Sequence, residues 1–186
     1  MSLHINLIQL KNIAAVIIFT AAFSACNSKI ETQKTGSQEK FFDIPTFFQQ
    51  EINALSIQNP DIKKTVKKDD KEETKTLKIK DWNTELSSFQ AIDLNKQAYA
   101  GYIKVDTSDS VIQYSFTNPD LDLSCVRIKL DKKGNPEIIS IEKEVRNTLY
   151  NTAEFLVYEK NKFYLVEKNQ HVKVMGENYY KVQGEF

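Results

Sequence analysis

Cysteine is nearly missing from this chain: 186 residues hold two, Cys26 and Cys125. Histidine is as scarce, with His4 and His171; arginine is confined to Arg127 and Arg146, and there are five glycines. Two cysteines and two histidines so far apart supply none of the ligand spacings of a zinc site. Five scattered glycines make no phosphate-cradling loop, and the GxSxG and SxxK signatures of activated serines are missing as well. The shortage of arginine removes the side chain best shaped to grip phosphate or carboxylate with two bonds. Charge of one sign is lacking too, with 25 basic residues against 25 acidic. Nucleic acid and acidic membrane surfaces both demand an excess of positive charge, so neither is expected as an electrostatic partner.

What the chain does have begins at its N-terminus. Residues 1–25 carry one strong charge, Lys11, and no acid. An apolar run over 13–23 is interrupted only by Thr20 and leads to Ser24, Ala25 and Cys26. A basic start, an apolar middle and a small-residue exit are the parts of a secretory signal. Eleven helical residues span about 16 Å, roughly half the hydrocarbon thickness of a bilayer, so a permanent membrane span is the weaker reading.

The exit Phe23-Ser24-Ala25-Cys26 resembles the lipobox of bacterial lipoproteins, an apolar residue and two small ones before a cysteine. Phe23 stands where leucine is commoner. The resemblance implies that Phe23, Ser24 and Ala25 are read by a dedicated signal peptidase and that Cys26 is lipidated. Two or three acyl chains hold a protein stably on a membrane, where one chain binds only marginally. Asn27 follows, where aspartate tends to favour inner-membrane retention in this class, so the resemblance implies the outer membrane over the inner, with the domain facing the periplasm.

Three segments follow from this reading: a cleaved signal over 1–25, a lipidated polar tether over 26–40, and one globular domain over 41–186. The tether has almost no apolar residues, and about 14 flexible residues reach roughly 20 Å. Asp43 and Pro45 predict a helix start, with Phe48, Ile52 and Leu55 on one face and Gln49, Gln50 and Glu51 opposite; Asn59-Pro60 stops it. Residues 62–80 read as a hairpin turning at Asp69-Asp70-Lys71, its eight lysines guarding an exposed edge. Asp81 predicts a second helix carrying Trp82, Leu86, Phe89 and Ile92.

Beyond Asn95 the sequence is strand and turn. Strands are predicted over 98–105, 111–117, 121–130, 137–146, 153–160, 163–168, 172–175 and 179–185, with neighbours paired as a meander. In 121–130 the apolar set slips from Leu121 and Leu123 to Val126, Ile128 and Leu130, which predicts a β-bulge near Ser124–Cys125. In 155–158 and 163–166 both strand faces are apolar, which suggests double cover or a cavity wall. The expected fold is α+β: a single curved antiparallel meander sheet with two N-terminal helices on one face. A closed antiparallel barrel capped by the helices is the alternative.

Chemistry is thin. His171 is expected in a turn, Cys125 as a buried thiol with Arg127 as its one nearby cation, and the pairs Asp106/Asp109 and Asp120/Asp122 as turn formers. No catalytic residue, metal or cofactor is expected. The expected function is a lipid-anchored module of the cell envelope that works by binding or as structure, without catalysis. Its partners would be the membrane, through the lipid on Cys26, and an unknown envelope protein, with no nucleic acid. The alternative is a periplasmic carrier or sensor of an apolar ligand held against the aromatic-rich sheet.

Overall fold

The computed structural model describes residues Lys40–Phe186, and its first element starts at the predicted cap. The Asp43 carboxylate accepts from the Thr46 N–H at 3.0 Å and opens helix α1 (Ile44–Gln58), with Pro45 in the first turn. That backbone bond favours the charged form and holds the Asp43 carboxyl below its ordinary value. Asn59 closes the helix in the left-handed region, φ 45°, its N–H reaching Leu55 O at 2.8 Å. Strands β1 (Asp61–Lys68) and β2 (Lys71–Lys78) follow as a hairpin. Only Asp69 and Asp70 lie between them, with Asp69 at φ 53°, as a tight two-residue turn requires. The register sets Ile62 opposite Leu77, so Ile62, Val66 and Leu77 share one face of the hairpin.

The predicted second helix is broken. Asp81 caps it as expected, accepting from the Asn83 N–H and the Thr84 hydroxyl. However, α2 (Trp82–Glu85) and α3 (Ser87–Gln90) are single turns separated by Leu86. The Ser87 hydroxyl donates to Thr84 O at 2.8 Å and competes with the helical ladder at the break. Leu86 and Phe89 are nonetheless fully buried, so the apolar spacing found the right residues.

The predicted strand over 98–105 begins late. Gln97–Tyr99 is a 3-10 turn, and Gly101 at φ 78° carries the chain into β3 (Ile103–Ser108). Tyr99 is what holds this turn down: it is buried and its hydroxyl donates to Asp122 Oδ1 at 2.8 Å. Strands β4 (Val111–Phe116), β5 (Leu123–Leu130), β6 (Pro136–Arg146) and β7 (Tyr150–Glu159) lie close to expectation. In β5 the pairing jumps from Leu123↔Lys143 to Cys125↔Glu142, leaving Ser124 as the extra residue of the predicted bulge. Strand β8 (Phe163–Val172) is continuous, and β9 (Gly176–Glu185) starts at a glycine with φ 85°. There is thus no separate strand over 172–175, and His171 lies within β8, opposite Glu177, and not in a turn.

All nine strands form one antiparallel sheet in the order β2-β1-β9-β8-β7-β6-β5-β4-β3. It is open, with β2 and β3 as edges, so the barrel alternative is set aside. Strands β3 to β9 form a meander. The N-terminal hairpin joins at the far side, β1 pairing with β9 from Lys63↔Glu185 to Lys68↔Tyr180. The helices cover one face, and the core between them joins Ile44, Phe48 and Ile52 to Ile128, Ile139, Ile141, Leu156, Tyr158 and Tyr164. Every element named here, and this whole core, lies within residues 40–186. Residues Lys40–Phe186 form a compact unit by themselves.

Candidate functional site

Strand alternation puts Tyr158 and Tyr164 on the helix-covered face, directly opposite one another across β7 and β8. Each hydroxyl donates to a carboxylate brought down by a helix. Tyr158 reaches Glu51 Oε2 of α1 at 2.7 Å, and Tyr164 reaches Glu85 Oε1 of α2 at 2.6 Å. Each carboxylate also has a lysine: Lys160 pairs with Glu51, and Lys64 lies 2.7 Å from Glu85. Burial, and then the adjacent carboxylate, raises both tyrosines above their ordinary values and keeps the hydroxyls protonated as donors. Two tyrosine–carboxylate–lysine sets thus tie the helices to the sheet.

Glu51 was expected on the outer side of its helix, yet it is buried. The signal was present in the spacing: Glu51 is three residues after Phe48 and four before Leu55, which places it on their face. An apolar pattern alone does not reveal it, because the residue is charged and its partners are more than 100 positions away.

The space between helices and sheet is filled with rings. Phe48 stacks on Phe89 at 5.0 Å between centroids and meets Tyr158 edge-on at 5.2 Å. Phe186 lies against Tyr158, Tyr164 and Trp82, stacked on the last at 5.9 Å. Among the described residues, Trp82 Nε1 is the buried side-chain polar atom that has no hydrogen-bond partner. The opposite face of the sheet is open. Phe155 is exposed there and Val157, Phe163 and Leu165 are half-buried, so the doubly apolar strand pair is covered on one side only.

A pocket of about 470 Å³ opens where α1 passes the β5–β6 and β7–β8 turns, lined by Phe47, Glu51, Asp131, Asn135, Glu137 and Lys160 among others. Its polar groups are largely engaged. Asp131 Oδ1 accepts from the Lys133 and Asn135 N–H groups, Glu137 pairs with Lys129, and Glu51 is held as above. The backbone bond from Asn135 is the main reason that the Asp131 carboxyl titrates below its ordinary value.

Cys125 is buried, and burial pushes its thiol up, against a smaller lowering by Arg127. Arg127 faces Cys125 but is held by Gln113 Oε1 at 2.9 Å and Glu142 Oε1 at 2.6 Å. His171 Nδ1 lies 2.6 Å from Glu177 Oε1 on the exposed surface. Asp109 occupies the β3–β4 turn at φ 48°, and Asp122 serves Tyr99. Among the described residues no three histidine, cysteine or acidic side chains converge as a metal would need. Phe23, Ser24, Ala25 and Cys26 lie outside the described residues. Comparison with family models, with curated proteins and with solved structures returned no match.

Proposed function

We propose that this protein is an envelope lipoprotein, lipid-anchored through Cys26, whose domain works by binding or as structure and not by catalysis. The observation that carries the second half is how the buried-face carboxylates are used. Glu51 and Glu85, the acids best placed for proton transfer in a dry setting, each hold a tyrosine hydroxyl and a lysine ammonium. Groups fixed in this way join helix to sheet and are not free to exchange a proton with a substrate. An apolar ligand held inside the domain is less well supported, since aromatic rings occupy the space it would take. Binding is accordingly assigned to the outer surface.

Two measurements test this. Replacing Cys26 with Ser is expected to abolish incorporation of a fatty-acid analogue and to release the protein from the membrane fraction. Continued labelling and pelleting of that variant would overturn the anchor. For the domain, residues 40–186 are assayed against panels of esters, glycosides, peptides and phosphoesters. Turnover that disappears in Glu51→Gln or Glu85→Gln, with the fold retained, would overturn the non-catalytic reading.

A further inference from the structure

The register of the sheet makes its central strands longer than their flanks. Strand β9 starts at Gly176, but its neighbour β1 ends opposite Tyr180, four residues short, or about 14 Å at 3.4 Å per residue. On the other side β6 runs to Arg146, while the pairing with β5 begins at Lys143, about 10 Å back. Strands β6 to β9 therefore project as a tongue ending in two adjacent hairpin turns. The Lys173 N–H donates to Leu149 O at 3.1 Å and joins these turns, and Asn147 Oδ1 accepts from Leu149 N and Tyr150 N at 2.9 Å.

At this end three large apolar side chains stand in water: Val174 is 93% exposed, Met175 80% and Leu149 70%. The charged residues of 145–150 and 172–176 are Arg146 and Lys173, with no acid among them. The nearest acids, Glu144 and Glu177, are paired to Arg146 and His171.

We infer that this tongue inserts Leu149, Val174 and Met175 into the interfacial layer of a lipid bilayer. A protein partner fits the surface less well. The exposed apolar side chains are three, on two turns, without the buried aromatic cluster at the centre of a specific interface, and Arg146 is already held by Glu144. A bilayer needs no complementary shape. Apolar groups sink about 5–10 Å into the boundary of headgroups and acyl chains, where hydrated headgroups still satisfy turn backbone. The neutral overall charge is no obstacle, because apolar area drives the insertion and Lys173, beside the inserted side chains, meets headgroup phosphate.

The inference draws its place in the cell from the reading as an anchored protein, but its test does not use Cys26. Residues 40–186 are spun with vesicles of phosphatidylethanolamine and phosphatidylglycerol at millimolar lipid. The domain is expected to pellet with them, and Val174→Asp/Met175→Asp is expected to partition at least about tenfold more weakly. Ile57→Asp, at an equally exposed apolar residue on α1, is expected to change nothing. An environment-sensitive dye on Met175→Cys, in a Cys125→Ser background, is expected to shift to the blue on the same vesicles. A native domain that stays in solution overturns the inference. So does a tip variant that pellets like the native domain, or an Ile57→Asp variant that loses as much.

Discussion

Tyr158 and Tyr164 do opposite things to the two sides of the sheet interface: their rings fill it and their hydroxyls make it polar. Tyr158→Phe keeps the ring and leaves Glu51 with one partner fewer. We expect a loss of about 1–3 kcal/mol in urea melts, the usual cost of a buried group left short of a hydrogen bond. The same chemistry sets an alkaline limit. Tyr99, Tyr158 and Tyr164 are all raised, burial being the first cause, so the folded state keeps three protons that the unfolded chain gives up near pH 10. The stability they contribute is complete below pH ~10 and is lost as pH rises through the shifted values. The slope is up to about 1.4 kcal/mol per pH unit for each tyrosine. Melts between pH 8 and 11 check this, and a flat profile across that range would contradict it. Gly184, opposite Tyr164 in β9, is a third constraint. A Cβ there would lie 2.2 Å from Tyr164 Cε1, so Gly184→Ala is expected to displace the ring and cost about 1–3 kcal/mol. None of these pairings was legible in the sequence, since each joins residues far apart whose types, taken singly, are unremarkable.

Elements were far more legible than contacts. The strand expected over 111–117 is β4, and one phase slip located the bulge at Ser124. Failures came where a single buried side chain overrides period, as Tyr99 does in the 3-10 turn, or where serine competes with the helical ladder, as at Ser87. The extension of β8 from the expected 163–168 to Val172, with 173–175 as turn, is a failure of another kind. The segment Lys168-Asn-Gln-His171 is polar on both faces, so no apolar signal marks it as strand. The helix layer itself can be tested through Phe89, which is fully buried against Phe48 and Tyr158. Phe89→Ala is expected to cost about 3–5 kcal/mol. A loss below about 1 kcal/mol would mean that the broken helix does not dock as described.

At the level of the whole molecule, the single antiparallel sheet with helices on one face followed from the order of elements, but its nine strands and their order did not. Ile62 and Val66 mark one face of β1 without saying which strand completes it. The completing strand, β9, is more than 100 residues away. Edge protection was legible, since β2 is an edge whose residues are exposed apart from Leu77, and its lysines face water as expected. In the neighbouring β1, by contrast, Lys64 is turned inward to Glu85. Removing residues 176–186 is expected to detach the β1–β2 hairpin and abolish a single cooperative melt. An unchanged single transition would show that the hairpin is held by the helices alone.

The pairing of β1 with β9 also governs timing. About 100 residues separate the end of β2 from the start of β9, roughly 5–20 s of synthesis, and until they arrive the hairpin has no sheet to join. Contacts of such long range form late and slowly. The ring of Phe186 has to arrive too before the gap between Tyr158 and Trp82 closes. A nascent chain of this design stays loose until Phe186 has been made. For a protein exported through an N-terminal signal, as proposed, that delay keeps it threadable for passage across a membrane.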